Sequence, residues 1–369
     1  MPENLEKLIK VFGAALDAAD FPLSLQIKQN YLNNLAQNLV IDPNFLDPYE
    51  GLLYFSRVLS KDKFLKMGKF PIESWLTPKP KLEDLPLMNQ FEFQQFTRKD
   101  AIRIYSEKLE VYIRNNILPD FPLMIGVDHS LTGGVLNALS KEFGSEDLLI
   151  LIFDAHFDGI PANIALNIAK YMNEHPDEIN PLISEDINAV NKTLDIVDNY
   201  TCASFLFFLL KEKIIFPENL IIFGCQDYPD AKFRSINDSR IIEYVEFYNE
   251  IEQKGVSFIP KSDPSSMIKK LSTILRETKQ SKIYISFDTD VGALREIIAT
   301  RFRNAIGIDQ NTILNAAKSI KSAINSKKFD LIGLDVMEVE THLLNRVFPK
   351  SGRRDQTVKV IDSFLNFFF

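Results

Sequence analysis

The sequence predicts an α/β chain with a three-layer α/β/α architecture and a mainly parallel sheet. Three observations carry this. Short, wholly apolar runs alternate with amphipathic stretches, the pattern of strands buried on both faces and connected by crossover helices. Motifs of Asp and His residues follow three of those runs directly, at the strand ends where ligands gather in open parallel sheets. The chain is 46% hydrophobic and 25% charged over 369 residues, so it can bury a sizeable core without disulfides or a structural metal.

Residues 1–85 read as an N-terminal extension, helical at first and loop-rich later. Leu5, Leu8, Ile9 and Phe12 recur at helical spacing, and residues 26–40 repeat the pattern. Pro43, Pro48, Pro71, Pro78, Pro80 and Pro86 then punctuate an irregular stretch. Residues 86–369 read as the main domain. It opens on an amphipathic helix over 98–116, with Ile102, Tyr105, Leu109, Tyr112 and Ile113 on one face. Strands are expected at 123–127, 148–153, 220–223, 256–259, 282–287 and 331–336. Helices are expected at 131–143, 163–172, 202–213, 265–278, 311–324 and 357–368. The apolar end, Phe364 to Phe369, reads as a helix terminus packed on the domain.

A net charge of −8 argues against nucleic acid or an anionic membrane as the main partner and leaves room for a small cationic substrate. The two cysteines, Cys202 and Cys225, form no C-x-x-C pair and fit a reducing compartment. Met1-Pro2-Glu3-Asn4 lacks the basic start of a signal peptide, and the apolar run at 205–210 is too short to span a bilayer. A cytoplasmic protein is therefore expected.

The chemistry is concentrated in Gly126-Val127-Asp128-His129-Ser130, Asp154-Ala155-His156-Phe157-Asp158 and Ser286-Phe287-Asp288-Thr289-Asp290. In extended backbone, residues i and i+2 project to the same side. D-x-H-x-D therefore throws three ligands one way, and D-x-D throws two. Carboxylates crowded together repel unless a cation neutralises them. Mixed carboxylate and imidazole donors suit Mn, Fe, Co, Ni or Zn. Any one of these motifs alone is commonly a cap or a solvated loop; it is the set that points to metal.

These motifs resemble those of the ureohydrolase family: arginase, agmatinase, formiminoglutamase and relatives. That family shows G-G-D-H-S, D-A-H-x-D and S-x-D-x-D in this order. The resemblance covers roughly residues 95–369 and implies the arginase-like α/β/α fold with two Mn²⁺ ions. By motif position, His129, Asp154, Asp158 and Asp288 resemble the ligands of one ion, and Asp154, His156, Asp288 and Asp290 those of the other, with Asp154 and Asp288 bridging. A further match, Asp335-Val336-Met337-Glu338-Val339, implies that Glu338 pairs with a substrate guanidinium. The implied reaction is metal-assisted hydrolysis of a linear C–N bond in a cationic guanidino or amidino compound, giving urea and an amine. The resemblance also implies a homo-oligomer.

The chain departs from the family pattern in places. Where relatives carry a proton-shuttling His, the matching Asn199-Tyr200-Thr201-Cys202 places Thr201, which cannot replace imidazole near neutral pH. Asn199 and Thr201 remain candidates for substrate contact. Of the other histidines, His175 reads as a surface residue, whereas His342 follows the Glu338 strand and is a candidate catalytic group beside Asp158 and Glu338. The segment between Asp158 and Asn199 is long and reads as a lid or as a segment that reshapes the pocket. Arg295, Arg301 and Arg303 read as carboxylate binders or solvated side chains. Two alternatives stay open: a divergent relative that binds metal and ligand without ureohydrolase turnover, and a one-metal amide deacetylase, against which the full ligand set speaks.

Overall fold

The computed structural model describes residues 7–19, 22–39, 47–175, 198–303, 306–326, 329–348 and 352–369. An eight-stranded sheet forms its centre, in the spatial order β2-β1-β3-β8-β7-β4-β5-β6, with every neighbouring pair parallel. The strands are β1 (Ile9–Ala14), β2 (Phe64–Lys69), β3 (Phe121–Gly126), β4 (Leu148–Phe153), β5 (Leu220–Phe223), β6 (Ser257–Ile259), β7 (Lys282–Asp288) and β8 (Asp330–Met337). From β4 the chain winds outward through β5 and β6. It then returns to insert β7 and β8 between β4 and β3.

Burial explains the apolar runs. In β4, Leu148, Ile150 and Ile152 pack into one core, and Leu149, Leu151 and Phe153 into the core on the opposite face. The first core is covered by α1 (Pro22–Ala36), α3 (Gln90–Arg98), α4 (Ala101–Tyr112), α5 (Thr132–Phe143), α7 (Phe205–Lys211) and α8 (Ser239–Gln253). The second is covered by α2 (Pro48–Phe55), α9 (Pro264–Glu277), α10 (Gln310–Asn325) and α11 (Thr357–Leu365). Helix α6 (Ala162–Glu174) lies beside α8, where Asn167 donates to Glu243 at 3.0 Å. Among the described residues, no helix is long and apolar enough to cross a membrane.

The first 85 residues differ from the expected helical and loop-rich extension. Ile9–Ala14 is not helix but strand β1, inside the sheet and paired to β2 and β3. Val11 and Phe12 point into opposite cores, so the apolar run satisfies both faces. A short apolar run fits either periodicity, and its sheet neighbours decide between them. The edge strand β2 was hidden by the prolines around it. The helix expected at 26–40 forms earlier, as α1. The amphipathic pattern of α8 was missed altogether. The terminal helix α11 buries Phe364 and Leu365, and Phe369 packs edge-on against Phe64 and Phe121.

Candidate metal centre

Four adjacent central strands, β3, β8, β7 and β4, end on the same edge of the sheet, and each delivers part of the motif set there. His129 follows β3 in a turn capped by Asp128, which accepts the Ser130 N–H at 3.0 Å. Asp154, His156 and Asp158 follow β4, Asp288 ends β7 with Asp290 in the turn after it, and Glu338 follows β8. The five carboxylates and His129 are buried, while the His156 side chain is 37% exposed.

Three aspartates share one design, in which the backbone holds one oxygen and leaves the other for the cluster. Asp154 Oδ1 accepts the His156 N–H at 2.6 Å, Asp290 Oδ1 the Ala155 N–H at 3.1 Å, and Asp288 Oδ1 the Asp290 N–H at 2.9 Å. The Oδ2 atoms turn toward the imidazoles. His129 Nδ1 lies 3.1 Å from Asp154 Oδ2, 2.8 Å from Asp158 Oδ2 and 3.1 Å from Asp288 Oδ2. His156 Nδ1 lies 2.9 Å from Asp290 Oδ2. Glu338 Oε2 is buried without a hydrogen-bond partner, and the buried Asp154 Oδ2 and Asp290 Oδ2 have no hydrogen bond beyond their approach to an imidazole nitrogen. Buried carboxylate oxygens are seldom left so, and the donor set suits a borderline divalent ion. The residues therefore fit a metal.

The candidate ligand atoms fall into three groups, each within 4.8 Å: His129 with Asp154 and Asp288, Asp154 with His156 and Asp290, and Asp288 with Asp290 and Glu338. Asp154 belongs to both histidine groups, and Asp288 links the His129 group to Glu338. Asp158 joins through His129. Asp158 and Glu338 both have left-handed backbone, with φ of 54° and 60°. Such conformations are costly outside glycine and concentrate at functional sites.

Burial dominates the electrostatics, with crowded like charges next. Burial and then the Asp154 charge push Asp158 up to about 8. Burial, reinforced by neighbouring carboxylates, likewise raises Asp288 and Glu338 well above the usual carboxylate range. Burial opposes ionisation of Asp154 too, but His129 and His156 outweigh it and hold that group low. Burial disfavours the charged imidazoles, yet the carboxylates around His129 and His156 raise both well above the ordinary value. Without metal the cluster thus retains protons that a divalent ion must displace.

Behind His129 lies a relay that the sequence reading quoted but gave no role. Ser286 Oγ sits 2.9 Å from His129 Nε2 and donates to Asp335 Oδ1 at 2.6 Å. Asp335 also accepts from Thr132 Oγ1 at 2.7 Å and from the Tyr284 hydroxyl. Two-residue periodicity could have found Ser286, because it projects on the same side of β7 as Asp288.

The remaining candidates make local contacts. Thr201 Oγ1 is 3.1 Å from Ser204 Oγ, and the Asn199 carbonyl accepts from that same hydroxyl at 2.6 Å, so both residues hold the turn before α7. His342 pairs with Glu340 at 2.8 Å in a cleft shared with Asp17, Lys28 and Arg301, not with the carboxylate cluster. His175 stacks on Tyr171 with 4.2 Å between ring centres. Arg295 is exposed beside Glu296, and Arg303 is exposed. Arg301 is not solvated, its side chain being only 8% exposed. Of the expected lid, 176–197 lies outside the described residues.

The arginase family description matches residues 81–347, most of the chain. The chain is 24% identical to an arginase of Staphylococcus aureus (strain COL) over 242 residues, 66% of each protein and so just under two thirds of that relative's length. In fold it is similar to the proclavaminate amidino hydrolase of Streptomyces clavuligerus, at a TM-score of 0.54 and 15% identity, covering 100% of this chain and 93% of that one. It is also similar to the arginase of Bacillus caldovelox, at a TM-score of 0.53 and 15% identity, covering 99% and 98%. With the motif order, the strand-end geometry and the family match in agreement, the chain belongs to the arginase family.

Proposed function

We propose that the protein is a metal-dependent ureohydrolase that cleaves a linear C–N bond of a cationic guanidino or amidino compound and releases urea. The carrying observation is the set of aspartates whose anchored Oδ1 atoms leave Oδ2 free in one buried cluster, with the unpartnered Glu338 carboxylate beside it. Family membership and the names of the relatives, arginase and amidino hydrolase, support the substrate class. His129, Asp154, Asp158 and Asp288 would hold one ion, and Asp154, His156, Asp288 and Asp290 the other, with Mn²⁺ proposed ahead of Fe, Co, Ni or Zn. Bound divalent ions supply Lewis-acid chemistry and activate water near neutral pH.

The protein's own groups bind and orient. Glu338 presents a carboxylate to a planar guanidinium, a geometry suited to paired, charge-assisted hydrogen bonds. Burial keeps bulk water away and strengthens that pairing. Ser286 and Asp335 fix His129 so that Nδ1 faces the carboxylates. Thr201 steadies the turn before α7 and is given no proton-transfer role. The same proposal includes a homo-oligomer in the cytoplasm; light scattering tests the oligomer.

The test is urea release by Mn²⁺-loaded protein from arginine, agmatine, guanidinobutyrate, guanidinopropionate and guanidine, with formamide release from formiminoglutamate in parallel. Turnover of one guanidino compound, abolished in Asp154→Ala, is the expected result. Two metals per chain with no turnover on the panel would overturn the ureohydrolase reading.

A further inference from the structure

We infer that Arg301 is a positioning residue for Glu338, holding its backbone in the left-handed conformation that turns the carboxylate toward Asp288 and Asp290; the inference rests on the ureohydrolase reading of Glu338. The Arg301 N–H donates to the Glu338 carbonyl at 2.8 Å, and the Glu338 N–H donates to the Val127 carbonyl at 3.1 Å. Both backbone groups of this strained residue are therefore fixed from outside β8. The flanking backbone is fixed as well. Thr300 bridges Val339, the Glu340 N–H donates to the Ala299 carbonyl at 3.1 Å, and Thr289 Oγ1 contacts Thr300 Oγ1 at 2.9 Å and donates to the Met337 carbonyl at 3.0 Å. Thr289 lies between the ligands Asp288 and Asp290, so the same loop joins both sides of the cluster.

The Arg301 guanidinium anchors that loop. It contacts Asp17 Oδ1 at 2.9 Å and Glu340 Oε2 at 3.3 Å, and it donates to Ser24 Oγ at 2.7 Å. Asp17 in turn holds Lys28, with Lys28 Nζ 3.2 Å from its carboxylate and bonded to its carbonyl at 2.6 Å. Asp17 follows β1 and its N–H is tied to the Leu76 carbonyl at 2.7 Å, so the anchor reaches back into the rigid sheet. A planar guanidinium with two carboxylate partners and a hydroxyl has a fixed orientation, which a point-charge ammonium does not reproduce. Release of this anchor frees the 300–303 loop and lets Glu338 relax from its costly φ.

The experiment uses the Mn²⁺-loaded full chain as parent, R301M, D17N, E338Q and the R301M/E338Q double variant. Folding is checked by melting, and D17N covers the case in which R301M does not fold. Metal content, KM and kcat are measured on the guanidino compound that the panel identifies. At saturating Mn²⁺, R301M is expected to keep the parent's metal content while KM rises roughly ten- to hundredfold, the cost of misplacing an orienting group by about 1 Å. In the E338Q background the same change should add little, because coupled residues are non-additive. Equal losses in both backgrounds, or loss of metal together with activity, overturn the inference. If the parent turns over nothing, the ureohydrolase reading fails on its own, and Arg301 is judged by Mn²⁺ affinity from calorimetry. There, R301M and E338Q should shift the dissociation constant in the same direction and non-additively. Additive shifts, or none, overturn the inference.

Discussion

Replacement of Ser286 by alanine tests whether the relay behind His129 tunes the metal site. The ring turns Nδ1 to three carboxylates, so Nδ1 would be the ligand atom of the proposed metal site, with Nε2–H donating to Ser286 Oγ, which donates to Asp335. Ser286→Ala removes the shared hydroxyl and leaves His129 Nε2 and Asp335 Oδ1 facing a fully buried gap. Each orphaned group costs about 1–3 kcal/mol. Asp335 keeps its bonds from Thr132 and Tyr284, which places its share at the low end. Loss of such an outer partner lowers metal affinity about 10- to 100-fold. Titration calorimetry with Mn²⁺ reads the affinity, and thermal melting of chelator-treated protein reads the stability. Asp335→Asn should act in the same direction, and the double variant should fall short of the sum. Parent-like Mn²⁺ affinity together with an unchanged melting temperature in Ser286→Ala would refute the relay.

Further outcomes are expected elsewhere. In chelator, stability should fall as pH rises from about 4 to about 8. His129 and His156 have raised folded values, so their contribution is complete below the ordinary 6.5 and lost above it; Asp158, raised from 3.8 to about 8, loses favour over the same window. Bound Mn²⁺ displaces those protons and should flatten the profile, and a melting temperature that climbs with pH in chelator contradicts the cluster electrostatics. Asp154→Asn should reduce bound metal at both positions, read by elemental analysis, because Asp154 belongs to both histidine groups. Thr201→Val should lower stability by about 1 kcal/mol and leave kcat within about threefold, since its hydroxyl meets only Ser204 in the described contacts; a collapse of kcat at constant KM would give Thr201 a chemical role. Gly133→Ala should destabilise by about 1–3 kcal/mol in denaturant melts, because a Cβ there would lie 1.9 Å from the Tyr200 hydroxyl, which donates to the Ser130 carbonyl beside His129.

The central strands and their ligands were legible because both are local. Leu148–Phe153 is apolar at every position and coincides with β4, and D-x-H-x-D, following at once, places its ligands where a parallel sheet ends. Periodicity also located α9, α10 and α11 to within a few residues. It failed where a pattern had two solutions. Leu8, Ile9 and Phe12 satisfy a helical period, yet pairing with β2 and β3 makes this segment a strand. Helix α8 carries its apolar residues among many charged ones, which masked it. His342 stands near Glu338 in sequence, but Glu340 takes its Nδ1.

The sequence by itself determined the ligand types, their spacing and the alternation that requires a parallel sheet, because side-chain chemistry and two-residue projection need only neighbouring positions. Tertiary structure decided which strands stand side by side, and therefore that Asp154 is shared, that Ser286 meets His129, and that Arg301 leaves solvent for Asp17. Those outcomes depend on contacts between residues as distant in the chain as Ser24 and Arg301. Strand order and burial set such contacts, and local pattern carries no record of either.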